Sequence, residues 1–179
     1  MSILLAMVQK LSVRELRELA ASHQLRATIP FAALVQQPPD ELRRRAALDQ
    51  PRTVVLPGKP QLARHALALV LGFHEMIAYP VGHGPDRIES IGRAPENDIV
   101  VEDPSVSSVH GELTWQSGPS VVAIRDLGST NGTFINGAQV GDQFAILTDG
   151  EVLSIGDAAF VYVTIDSLEG LLRMGGGHG

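Results

Sequence analysis

Three polar stretches gather residue types that bind oxyanions: GRAPENDI (92–99), DPSVSSVHG (103–111) and DLGSTNGTF (126–134). Arg93 offers a forked guanidinium able to make two parallel bonds to phosphate oxygens. Ser107, Ser108 and Thr130 offer hydroxyl donors. Main-chain amides around 106–108 can add uncharged donors, as in an anion-binding nest. Asn131 carries a donor and an acceptor on one planar amide, which suits gripping the main chain of an extended peptide. Singly, each has a simpler explanation. Arg93 could be a solvated loop arginine, Ser107 a loop cap and Asn131 a turn residue. Density and order in the chain favour a shared role.

Other chemistry fits less well. Ser107, His110 and Asp126 are the residue types of a hydrolytic triad, yet no G-x-S-x-G elbow surrounds either serine. His65, His74 and His83 recur every nine residues and lack a compact metal-ligand pattern. Cysteine is absent, so disulfides, thiolate zinc sites and cysteine nucleophiles are excluded. No catalytic residue, cofactor or metal is expected.

Elements must position these loops. From residue 64 onward, short apolar or alternating runs alternate with turn signals: HALALVLG, EMIAYPVG, RIESIG, DIVVED, GELTWQSG, SVVAIRDLG, GTFING, EVLSIG and AAFVYVTI. That spacing predicts a mainly β protein, an antiparallel sandwich or barrel. Asn136-Gly137 reads as a hairpin turn and nothing more; Asn131-Gly132 reads as a turn that also presents the Asn side chain. The first fifty residues read as helical. Ser12 and Glu15 form a capping-box pattern ahead of SVRELRELAASHQL, and PPDELRRRAALD opens like a helix. Thr28 to Val35 is ambiguous, with Pro30 able to open a short helix. The expected organisation is a helical region over 1–50 and a Pro-rich linker over 51–63. A β-sandwich over 64–166 and a partly disordered tail over 167–179 follow, the tail with a short helix at SLEGLLRM.

In order and spacing the three loops resemble a forkhead-associated (FHA) domain. Gly92-Arg93 with Asn97-Asp98 resembles the family's Gly-Arg motif. Ser107-x-x-His110 resembles its Ser-x-x-His motif, and Ser129 to Thr133 its third motif. The resemblance implies an eleven-stranded β-sandwich whose loops bind phosphothreonine peptides. It implies that Arg93 and Ser107 hold the phosphate, with Thr130 and Ser108 in the pocket, and that Asn131 holds the peptide main chain. Gly92, His110 and Gly132 are then structural, and Asn97 braces its loop. The implied partner is a Thr-phosphorylated protein or peptide, made so by an upstream Ser/Thr kinase.

One departure stands out. The residue after the motif serine is often basic in the family; here it is Ser108. Residues 1–62 carry nine Lys and Arg against five Asp and Glu, whereas residues 63–179 carry five against fifteen. The body around the site is therefore acidic, and weak, salt-sensitive binding is expected. Arg125, or the run Arg43-Arg44-Arg45, could supply the missing charge.

Two other functions compete with a signalling adaptor. One is a scaffold that self-associates or regulates itself, with Thr28 or, more accessibly, Thr53 as the modified residue. The other is DNA binding by the basic N-terminal helices, which faintly resemble a SAP module and carry Arg26 and Arg43 to Arg45. Loose leucine spacing makes nucleic acid the weaker reading. The start MSILLAMVQK lacks a basic n-region and cleavage site, and the run ALALVLGF is too short to span a bilayer. A cytoplasmic location, away from membranes, is expected.

Overall fold

The computed structural model describes residues 10–29, 31–37, 76–84, 86–116 and 121–174. Twelve strands form two sheets in this part of the chain. They are β1 (Leu11–Ser12), β2 (Ala32–Gln36), β3 (Ile77–Val81), β4 (Ile88–Gly92), β5 (Ile99–Val100) and β6 (Gly111–Gln116). There follow β7 (Val121–Asp126), β8 (Thr133–Ile135), β9 (Ala138–Val140), β10 (Ala145–Leu147), β11 (Val152–Ile155) and β12 (Ala158–Thr164). The seven-stranded sheet runs β1-β3-β2-β12-β11-β8-β9 and the five-stranded sheet β10-β7-β6-β4-β5. Pairing is antiparallel except between β4 and β5, which run parallel. The helices are α1 (Val13–Ala21), the single turn α2 (Leu25–Thr28) and α3 (Ile165–Met174).

The strand at Ala32–Gln36 departs from the helical expectation for 1–50. It lies between β3 and β12, paired with both. Ala32 and Leu34 face the space between the sheets; Ala33 and Val35 face the helices. A strand buried on both faces needs a continuous apolar run, and five residues of such a run cannot be told from a buried helix by period. The N-terminal segment is thus built into the sandwich. The expected strand at HALALVLG, the linker and the Arg43 to Arg45 run lie outside the described residues.

Two cores result. Between the sheets pack Leu34, Tyr79, Ile91, Leu113, Ile124, Leu153, Phe160 and others, with Tyr79 and Phe160 edge to face at 5.8 Å. On the outer face of the larger sheet, α1 and α3 cover Ala33, Val35, Ala78, Val161 and Val163 with Val13, Leu16, Leu168, Leu171 and Leu172. The helix at the C-terminal end starts at Ile165, two residues before the expected short helix, and its leucines are core residues rather than tail. Helix α1 begins as its sequence dictates. Ser12 Oγ accepts from Glu15 N–H at 3.2 Å while the Glu15 carboxylate accepts from Ser12 N–H at 2.7 Å.

Arg26 meets Asp166 at 2.6 Å and Glu169 at 2.9 Å, clamping α2 to α3. Hydrogen bonds from its guanidinium to Glu169, then Asp166, raise its pKa. That arginine is engaged by carboxylates, which removes it from the residues suited to DNA phosphates. No helix among the described residues is long and apolar enough to cross a membrane.

Candidate functional site

Strand β4 ends at Gly92, and Arg93 opens the β4–β5 loop. The reason for glycine there is close approach. A Cβ at 92 would stand 2.4 Å from the Ser108 carbonyl oxygen and 2.9 Å from Asn97 Nδ2. The β5–β6 loop can therefore lie flat on the β4–β5 loop. Arg93 N–H donates to Ser107 O at 2.9 Å and Ala94 N–H to Ser108 O at 3.0 Å. Asn97 braces the same contact, its Nδ2 donating to Ala94 O at 2.8 Å and Ser108 O at 2.7 Å.

Arg93 Nε donates to Val106 O at 3.1 Å. That bond holds the guanidinium by Nε, and no partner among the described residues takes its terminal nitrogens. No carboxylate among the described residues pairs with Arg93, which is exposed. Ser107 Oγ accepts from Thr130 N–H at 3.0 Å and lies 3.4 Å from Thr130 Oγ1. The serine and threonine of two separate loops thus sit side by side, the serine on the loop that Arg93 grips. Ser108 is exposed beside them. Asn131 Nδ2 donates to Ser105 O at 2.7 Å, which orients its carboxamide, and its Oδ1 has no partner among the described residues. Consecutive carbonyls of one loop, at 105 and 106, therefore anchor Asn131 and Arg93.

His110 is the stitch behind this rim, wholly buried. Its Nδ1 accepts from Ser107 N–H at 3.1 Å, so Nε2 carries the proton and donates to Gly132 O at 3.1 Å. The imidazole never meets Ser107 Oγ, and Asp126 stands 3.7 Å from Nε2. A triad needs the ring nitrogen on the serine hydroxyl; here it holds the serine's main-chain amide, an architectural arrangement.

Asp126 is the hub of the β7–β8 loop, a role that sequence reasoning missed. Its Oδ2 accepts from Gly128 and Ser129 N–H, both at 2.9 Å. Its Oδ1 accepts from Ser129 Oγ at 2.7 Å and Thr133 Oγ1 at 2.6 Å. Burial alone would raise its pKa, but the bonds from Ser129, Thr133 and the loop amides outweigh it and hold the carboxyl below 3.8. The signal was present as an Asx-turn pattern, Asp126-x-Gly128-Ser129. Ser105 was missed too, because it anchors Asn131 through its carbonyl, which any residue has.

Gly132 takes a left-handed conformation, φ +82°, and completes the turn that presents Asn131. Asn136 and Gly137 both have positive φ, 49° and 84°, the signature of a type I′ hairpin joining β8 to β9. Asn136 does more than turn the chain. Its Oδ1 accepts from Val152 N–H at 2.9 Å and its Nδ2 donates to Glu151 at 3.1 Å, pinning the hairpin to β11.

Arg125 does not join the rim. Its guanidinium donates to Glu112 at 2.9 and 2.6 Å and lies 4.8 Å from the Phe144 ring. Of the three spaced histidines, only His83 is described; it bonds to the buried Glu89, so it is not part of the rim. Among the described residues no three His, Asp or Glu side chains cluster as metal ligands.

A family model for the FHA domain matches residues 89–156. Over 81 residues, 45% of this chain, the sequence is 42% identical to the ABC transporter ATP-binding/permease protein Rv1747 of Mycobacterium tuberculosis, covering 9% of that protein. Over 75 residues, 42% of this chain, it is 37% identical to the glycogen accumulation regulator GarA of Mycolicibacterium smegmatis, covering 45% of it. The chain thus spans less than half the length of these curated relatives. A solved structure described as a study of phosphothreonine-dependent FHA domain interactions is 32% identical, with a TM-score of 0.41 over 48% of this chain and 82% of that one. With all three motif loops inside the matched span, residues 89–156 of this chain belong to the FHA-domain family.

Proposed function

We infer that this chain is a non-catalytic signalling adaptor that binds a phosphothreonine-containing segment of a partner protein. The observation that carries the reading is Arg93, without a carboxylate partner among the described residues, beside the Ser107–Thr130 pair, with the Asn131 carboxamide oriented one loop away. Arg93 supplies the charge for a dianion, Ser107, Ser108 and Thr130 supply hydroxyl donors, and Asn131 accepts from the ligand main chain. Gly92, His110 and Gly132 hold the loops in place. Membership of the FHA family and the phosphothreonine dependence named for a solved relative support the same ligand. An adaptor of this kind acts downstream of a Ser/Thr kinase. Screening an oriented phosphothreonine library tests it. Wild type is expected to select phosphorylated over unphosphorylated peptides, and Arg93→Ala to lose about 30-fold or more in affinity; equal retention by both proteins removes the reading.

One observation favours self-recognition as a second reading. Gln37 N–H bonds to Ala159 O beside the β11–β12 turn, and Met76 O accepts from Val13 N–H at the same end of the sheet. Gln37 and Met76 therefore lie at the end where the Gly156–Asp157 turn meets the rim loops, and the sequence between them, outside the described residues, contains Thr53. Solution mass measurement of Thr53-phosphorylated protein with and without competing phosphopeptide tests it; a monomer that binds peptide as well as the unmodified chain counts against it.

A further inference from the structure

Two turns that adjoin the rim carry carboxylates. Glu96 sits in the same tight turn, which closes through Asn97 N–H to Ala94 O at 3.2 Å. On the Asn131 side, the β11–β12 turn is knitted into the rim. Gly156 N–H donates to Gly132 O at 3.0 Å and Asp157 N–H to Ser105 Oγ at 2.8 Å, the same Ser105 whose carbonyl anchors Asn131. A Cβ at Gly156 would stand 2.6 Å from Ser105 O, so the two turns are in direct contact. Glu96 and Asp157 are exposed, and neither carboxylate has a partner among the described residues. Asp103 spends one oxygen on Ser105 at the same edge.

We propose that Glu96 and Asp157 are specificity-determining residues, and that the preferred ligand is a phosphothreonine flanked by Lys or Arg. The proposal rests on the phosphothreonine reading and deepens it. A strand-like ligand advances about 3.3 Å per residue. With its phosphate at Arg93 and its main chain at Asn131, a few residues on either side reach the Glu96 turn and the Asp157 turn. Side chains arriving there meet an unpaired negative charge. A basic side chain neutralises it, while an acidic one adds a third anion to a phosphate and a carboxylate at close range. The acidic body acts in the same sense at longer range, since residues 63–179 carry fifteen Asp and Glu against five Lys and Arg.

The test uses the full chain and defined phosphothreonine peptides in which flanking positions are Lys, Ala or Glu, measured by fluorescence anisotropy at near-physiological salt. Lys-flanked peptides are expected to bind about five-fold or more tighter than Glu-flanked ones. In Glu96→Gln/Asp157→Asn that ratio is expected to fall towards about two. A control, Glu18→Gln/Asp86→Asn, removes the same formal charge from α1 and the β3–β4 connection and is expected to keep the wild-type ratio. Binding that depends on Arg93 but shows no basic preference, or a preference unchanged in the rim variant, overturns the proposal while leaving the phosphothreonine site standing. Absence of any Arg93-dependent phosphopeptide binding overturns both.

Discussion

At the scale of single residues, the rim loops depend on groups that lie behind them. Gly92 is the clearest case. Gly92→Ala must push the Ser107–Ser108 backbone away, because a Cβ would sit 2.4 Å from Ser108 O. The expected loss is about 2 kcal/mol in urea denaturation, with phosphopeptide affinity falling as Arg93 and Ser107 separate. Gly141→Ala, where nothing lies within 4 Å, is expected to be nearly neutral. Asp126 gives a pH signature. Its folded pKa is depressed, so its stabilising contribution is complete above the ordinary carboxylate value of 3.8 and is lost as pH falls through the depressed folded value. The stability gap between wild type and Asp126→Asn should therefore be full at about pH 6 and shrink below about pH 4. Ligand binding titrates elsewhere: affinity is expected to rise with pH through about 6, as the phosphate takes its second charge.

At the scale of elements, the N-terminal segment decides whether the sheet exists. Strand β2 pairs with both β3 and β12 and contributes to both cores. Removing residues 1–37 would open the centre of the larger sheet, leave two long backbone edges unpaired and uncover the apolar face under α1. The truncated chain is expected to aggregate or stay unfolded, as read by circular dichroism and size exclusion. A soluble, folded 38–179 fragment that still binds phosphopeptide would mean the segment is an accessory. Leu34→Ala probes the same point more gently, with an expected cost of about 3 kcal/mol for a fully buried leucine in the strand.

At the scale of the whole molecule, a net charge of -6 would set how the proposed phosphorylated ligand arrives. Long-range repulsion is screened by salt, while contacts at the rim are short. For a phosphopeptide with neutral flanks, the association rate is expected to rise as salt increases from about 20 to 200 mM. Lys-flanked peptides should show the opposite trend. Stopped-flow measurement of both series checks it; parallel trends would mean the overall charge does not steer the encounter.

Much of the rim was legible in the sequence because its chemistry is local. Arg93, Ser107, Thr130 and Asn131 lie in loops marked by glycines and by Asn-Gly turns, whose backbone demands are written in a few neighbouring residues. The β class was legible because alternation over five or more residues has a readable period. Strands β9 and β10, three residues each, fall below that length. The run at 32–35, buried on both faces, has no period to read. Tertiary structure alone decided that β2 closes the larger sheet, that Arg125 is held by Glu112, and that Asn131 is steered by the Ser105 carbonyl. It alone placed Asp157 beside the site. These contacts join positions 13 to 132 residues apart, and no local rule of propensity or spacing encodes which distant backbone a side chain will meet.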